Sequence, residues 1–116
     1  MQAPKPSFAL TIKKGDRLIL LRFEEITHLQ AEDKYVTIHT LNKGQYISDF
    51  TLNELTHKLG DSFIRVHRST IINRDFVFEA RKFFKGRFTI TLRDGKGTNI
   101  RTSASYAADI KKLLGI

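Results

Sequence analysis

Residues 87–93 read Arg-Phe-Thr-Ile-Thr-Leu-Arg, a strict alternation of polar and apolar side chains. A period of two places Phe88, Ile90 and Leu92 on one face of an extended strand, whereas a helix would scatter them around its surface. Lys85-Gly86 precedes this strand and Asp94-Gly95-Lys96-Gly97 follows it. Turns on both sides make it the middle of an antiparallel meander with one buried face. A chain holding such a segment has to be built around sheets.

The rest of the sequence agrees. Phe8 to Lys13 reads as a strand, Lys14-Gly15-Asp16 as a turn and Arg17 to Leu21 as the returning strand of a hairpin. Ile26 to Gln30 is a third strand, broken by Glu32-Asp33-Lys34 before Tyr35 to Thr40 resumes with β-branched and aromatic residues. Asn42-Lys43-Gly44 turns into Gln45 to Ser48. Thr51 with Glu54 three residues on forms a capping box, and Leu52, Leu55 and Leu59 then share one helical face that Gly60 ends. That leucine stripe is core packing. Phe63 to Val66, Thr70 to Ile72 and Phe76 to Phe78 read as short extended pieces. A last helix begins near Ser105, with Tyr106, Ile110, Leu113 and Leu114 on one side. Both prolines fall within the first six residues, and no repeat or linker divides the remainder. The expectation is a linker remnant over 1–7 and one mainly β domain over 8–116. That domain has antiparallel sheets, one short middle helix and a C-terminal helix.

Composition narrows the function. There is no cysteine, which removes thiol chemistry and cysteine-ligated zinc and accords with a cytoplasmic protein. No apolar run approaches the roughly 20 residues that span a bilayer, so no membrane role is expected. Met-Gln-Ala-Pro-Lys-Pro lacks the apolar stretch of a signal peptide. The formal net charge is +8, and its distribution is uneven. Residues 1–62 carry 8 basic and 8 acidic side chains, whereas residues 63–116 carry 12 basic against 4 acidic. The excess therefore belongs wholly to the second half. A one-sided excess in a compact domain makes a face of one sign, suited to phosphates.

No catalytic constellation competes with that reading. His28, His39, His57 and His67 show neither the i, i+4 spacing of a helical metal site nor an H-x-H pair on a strand. Dispersed histidines of this kind are surface or satisfied core, and no metal or other cofactor is expected. Glu24-Glu25 and Glu32-Asp33 are adjacent carboxylates, which on a strand point to opposite faces. Ser62, Ser69, Ser103 and Ser105 lack a nucleophile elbow, and the glycines form no phosphate-binding loop. The chain does not read as an enzyme.

Phe63-Ile-Arg-Val-His-Arg-Ser-Thr-Ile-Ile-Asn73 interleaves apolar anchors with polar groups. Arg68 and Ser69 are then free to donate to phosphate, or Arg68 to a guanine edge. His67 has two readings, a phosphate contact or a structural residue bonded to the loop backbone. Lys85, before the alternating strand, and Arg87, its first residue, add candidate phosphate contacts. Double-stranded DNA is the leading partner. One alternative is an RNA or single-strand binder stacking bases on Phe83, Phe84 or Phe88, although most of these read as core. Another is a protein-interaction domain whose basic half meets an acidic partner.

The order of segments resembles the LytTR family of bacterial DNA-binding domains. Ile26-Thr-His-Leu-Gln-Ala-Glu-Asp-Lys-Tyr-Val-Thr-Ile-His39 is similar to its early strand, polar loop and Tyr-Val-x-Ile pattern. Thr51-Leu-Asn-Glu-Leu resembles its middle helix, and Ser103-x-Ser-Tyr106 its end. Phe-x-Arg-x-His-Arg-Ser followed by an apolar pair and Asn73 is the most specific match. Together they cover roughly residues 8–115. The resemblance implies an elongated fold of antiparallel sheets and the output domain of a two-component response regulator, behind a receiver domain and reading major grooves through loops. It also implies paired or dimeric binding on DNA, although no heptad seam is present. Carried over, the first loop is Asp33-Lys34-Tyr35, with Lys34 or Tyr35 at a base edge; a core role is the rival reading for Tyr35. The second is His67-Arg68-Ser69, at phosphates. The third runs from Arg101 to Ser105, with Ser103 and Ser105 as phosphate contacts. There the family's usual base-reading arginine after the serine is replaced by Ala104, and Arg101 is the candidate substitute.

Overall fold

The computed structural model describes residues 8–116, and the linker expected over 1–7 lies outside them. The strands are β1 (Ala9–Lys14), β2 (Arg17–Arg22), β3 (Ile26–Glu32), β4 (Tyr35–Thr40) and β5 (Gln45–Ser48). After helix α1 (Leu52–Lys58) come β6 (Phe63–His67), β7 (Thr70–Asn73), β8 (Val77–Lys82), β9 (Phe88–Leu92) and β10 (Asn99–Arg101), then helix α2 (Ala107–Leu114). They form three antiparallel sheets: the hairpin β1-β2, a five-stranded sheet in the order β5-β4-β3-β7-β6, and the meander β10-β9-β8.

The five-stranded sheet lies between the other two because its strands are apolar on both sides. Leu29, Ile38 and Ile71 pack with Leu10, Ile12 and Leu21 of the hairpin and with Leu52 and Leu55 of α1. Ile72 and Val66 join Phe88, Ile90, Leu92 and Ile100 of the meander and Ile110 of α2 in a second core. Successive residues of a strand point to opposite faces, so Ile71 and Ile72 belong to different cores. Each fully buried aliphatic contributes about 1.5–3 kcal/mol. The two apolar clusters therefore hold the layers together.

Local signals act where expected. The Thr51 hydroxyl accepts from the Glu54 amide at 3.1 Å, and the Glu54 carboxylate accepts from the Thr51 amide at 2.8 Å. These bonds hold the Glu54 carboxyl below its ordinary pKa. β9 is the central strand of its sheet, with Phe88, Ile90 and Leu92 buried.

Two segments differ from expectation. The extended piece expected at Phe76 to Phe78 is a 3-10 turn over Arg74–Phe76 followed by the longer strand β8. Asn73 caps that turn, and a bulge between Val77 and Glu79 resets the faces of β8 and erases its alternation. Phe83 and Phe84 are not core residues. Of the three candidate stacking aromatics only Phe88 is buried, while Phe83 and Phe84 are 47% and 79% exposed in the β8–β9 loop.

Candidate nucleic-acid interface

The turn between β6 and β7 is fixed by its own polar side chains. Arg65 donates from Nε to the carbonyl of His67 at 3.0 Å, from one terminal nitrogen to Asn53 Oδ1 at 3.1 Å, and from the other to the carbonyl of Arg68. His67 Nδ1 accepts from the Ser69 amide at 3.1 Å, and the Ser69 hydroxyl lies 2.9 Å from the same nitrogen. A ring nitrogen that accepts carries no proton, so in neutral His67 the N–H is at Nε2 and remains available to donate. His67 is thus a structural residue of the loop with one donor to spare. Arg68, between these anchors, is exposed.

Backbone bonds then bring the neighbouring loops to this turn. The Ala31 amide donates to the Ser69 carbonyl at 2.8 Å, tying the turn to β3 just before the Asp33-Lys34 loop. The Ser103 amide donates to the Val66 carbonyl at 3.1 Å, tying it to the segment that follows β10. Segments near residues 33, 68 and 103 therefore meet on one edge of the molecule.

Two clefts flank the turn. The first, about 280 Å³, is lined by Lys34, Tyr35, Arg65 and Arg68, together with the acids Asp33 and Asp49. The second, about 650 Å³, is lined by His67, Arg87, Arg101 and Ser103, with Phe83 and Phe84, and no acid lines it. Arg68 faces one cleft and His67 the other. Tyr35 is 42% exposed, which removes the rival reading of it as core. Lys85 and Ser105 are exposed but line neither cleft. Among the described residues the two ion pairs are Arg22–Glu24 and Lys43–Glu25, so Lys34, Arg68, Lys85, Arg87 and Arg101 are all unpaired.

Sequence reading missed Arg65 as a positioning residue; its place among apolar anchors, two before His67, is the signal that marks it. Antiparallel pairing of β3 and β4 also joins two of the dispersed histidines. The rings of His28 and His39 stack with centroids 4.1 Å apart and planes within 5°. Burial, with a smaller push from His39, lowers His28 to about 4 against the opposing pull of Asp94. Burial lowers His39 as well, against the pull of Glu32 and Asp94, and its Nε2 is enclosed without a hydrogen-bond partner. Among the described residues no group of three or more His, Asp or Glu converges as a metal site.

A family model of the LytTr DNA-binding domain matches residues 16–115. The chain belongs to the LytTR family of DNA-binding domains. This LytTR domain is 33% identical over 108 residues to the sensory transduction protein LytT of Bacillus subtilis, covering 92% of the chain and 44% of that protein. It is 30% identical over 115 residues to the heme-containing CO-sensing transcriptional regulator RcoM 2 of Paraburkholderia xenovorans, covering 98% of the chain and 42% of that protein. It therefore spans less than half the length of these curated relatives. Among solved structures, a LytTr DNA-binding domain from Bacillus cereus superposes with a TM-score of 0.82 at 29% identity, covering 95% of this chain and 99% of that one. The mainly antiparallel architecture is thus the LytTR fold.

Proposed function

We propose that this LytTR domain binds double-stranded DNA sequence-specifically, as the output part of a bacterial transcription regulator of the two-component type. In that reading its loops enter major grooves, a receiver domain precedes it in the intact protein, and copies bind DNA in pairs. The observation that carries it is the convergence of three distant segments on one edge of the sheets, their cations in no ion pair among the described residues. Lys34, Tyr35 and Arg101 are the candidate base contacts. His67, Arg68, Ser69, Ser103, Ser105, Lys85 and Arg87 are the candidate phosphate contacts. The acids beside Lys34 make the first cleft mixed in sign, so the second cleft, which has cations and no acid in its lining, carries more of the attraction.

Selection of bound duplexes from a random pool tests this directly. A recovered motif is expected, and competition by a single-stranded probe of the same sequence should be weak. Affinity should fall as salt rises, with a log–log slope of about −2.7 if Arg68, Lys85 and Arg87 each neutralise one phosphate. Binding that ignored salt, or a pool that returned no motif, would count against the reading. Arg101→Ala separates base reading from backbone contact. Losing a bidentate guanine contact costs about 1–3 kcal/mol, roughly 5- to 150-fold, concentrated at one position of the motif. An unchanged motif and affinity would remove Arg101 from the base-reading set.

A further inference from the structure

The β8–β9 loop carries an arrangement that phosphate contact alone does not explain. Phe84 is 79% exposed and Phe83 47% exposed, side by side at the tip of a hairpin. Both line the second cleft with His67, Arg87, Arg101 and Ser103. Between Glu79 and Asp94 the chain holds Arg81, Lys82, Lys85, Arg87 and Arg93 and no acidic residue. The tip is therefore apolar, its surroundings are cationic, and among the described residues none of those cations is in an ion pair.

The loop is also held in place. The Phe83 amide donates to the Arg87 carbonyl at 2.8 Å, closing the tip. Lys85 and Gly86 both take left-handed backbone conformations, with φ of 63° and 73°. Such a conformation is costly for lysine and free for glycine. A Cβ on Gly86 would lie 3.0 Å from the Ala107 Cβ, so the loop rests against the start of α2. Phe83 and Phe84 are thus displayed on a fixed support, beside the segment from Arg101 to Ser105.

We propose that the Phe83–Phe84 tip is an additional DNA-contacting element of this domain, supplying an apolar contact to the deoxyribose and base surfaces of a bound duplex. The inference rests on the duplex-binding reading above and adds to it a part of the affinity that does not depend on salt. Phenyl rings have no donor for phosphate and no donor or acceptor for base edges. They gain by covering sugar faces, thymine methyls or an opened base step. The surrounding cations attract the polyanion and bring those surfaces to the rings. A neutral apolar partner would gain nothing from the cations, and an acidic peptide would gain from the rings only through apolar side chains of its own.

The two contributions separate in a salt titration on a duplex recovered by the selection above. Phe84→Ala should lower affinity by on the order of tenfold at every salt concentration and leave the log–log slope unchanged. Lys85→Ala should instead flatten the slope by about 0.9. Phe84→Leu, which keeps the apolar surface, should recover most of the loss. Because Phe84 is largely exposed, the thermal unfolding midpoint of each variant should match the parent. A parent that binds duplex with the expected salt slope, beside a Phe84→Ala chain within twofold of it, overturns this inference and leaves the duplex reading intact. A Phe84→Ala loss larger on a single-stranded probe than on the duplex also overturns it, in favour of base stacking. A parent showing no salt-dependent duplex binding removes the reading beneath it as well.

Discussion

Replacing Asn73 by alanine should lower the unfolding free energy by about 3–5 kcal/mol. Asn73 is fully buried at the end of β7. Its Nδ2 donates to the carbonyl of Phe23 at 3.1 Å and to that of Ile26 at 2.9 Å, and its Oδ1 accepts from the Asp75 amide at 3.0 Å. One side chain therefore satisfies three backbone groups, two of them about 50 residues away in sequence. Alanine leaves those groups without partners and removes buried volume beside the Phe23 and Ile26 carbonyls. An unsatisfied buried group costs about 1–3 kcal/mol, and the losses here fall on one site.

Urea denaturation of parent and variant gives the number, and a midpoint lowered on the order of 12 °C by heat should accompany it. Asn73→Asp isolates the hydrogen bonds from the volume. It keeps the shape and the Oδ1 acceptor but turns Nδ2 into an oxygen facing two carbonyls. Near-parental stability of Asn73→Asp at neutral pH would refute the account. The substitution also bears on the interface, because β7 begins at the Arg68-Ser69 turn and is the strand that pairs β6 with β3.

What sequence disclosed and what it hid divide along the range of the interactions. The capping box of α1, the hairpin of β1 and β2 and the alternation of β9 are set by residues within a few positions of one another, and each is where the pattern puts it. β3 is harder to read because Ile26, Thr27, His28 and Leu29 are all buried, so its pattern has no polar face. The pairing of β3 with β7 joins residues 40 to 44 positions apart, and no local pattern encodes it. The same holds for the candidate interface. The residue types in the Phe63–Asn73 segment were legible, and so was the basic excess of the second half. That Arg65 turns inward to hold carbonyls while Arg68 turns outward depends on Asn53 of α1, which only the fold supplies. The exposure of Phe83 and Phe84 was hidden for a related reason. A pair of aromatics before an alternating strand looks like core until the turn at Lys85-Gly86 is seen to carry them past the end of the sheet.

Acidification should destabilise the domain well before ordinary carboxylates titrate, through the stacked pair His28 and His39. His28 is 3% exposed on the face of β3 turned toward the β9–β10 turn. The groups around it are the Thr27 hydroxyl, 2.9 Å from its Nδ1, the His39 ring on β4, and Asp94 and Lys96 on that turn. The pull of Asp94, whose oxygens accept from the amides of Lys96 and Thr98 and from the Thr98 hydroxyl, is smaller than the cost of burying a charge at His28. Burial thus keeps His28 neutral down to about 4, against 6.5 for an ordinary histidine.

With the folded value depressed, the unfolded chain takes up the proton first as pH falls. The stabilisation is whole above 6.5, declines between 6.5 and about 4, and changes no further below that. At about 1.4 kcal/mol per pH unit, roughly 2 kcal/mol should be gone by pH 5, and His39 shifts in the same direction. Domains of this size hold about 5–15 kcal/mol in total, so the loss is a large share. Urea midpoints at pH 7, 6 and 5 should therefore fall steadily for the parent. His28→Phe keeps a ring against His39 without the proton site, and its midpoints should fall much less over the same range. Ring resonances of His28 in NMR should stay those of a neutral imidazole at pH 5. A parent whose midpoint is flat between pH 7 and 5, or a His28 ring that protonates near 6.5 in the folded domain, would show that the seam between the two sheets tolerates the charge.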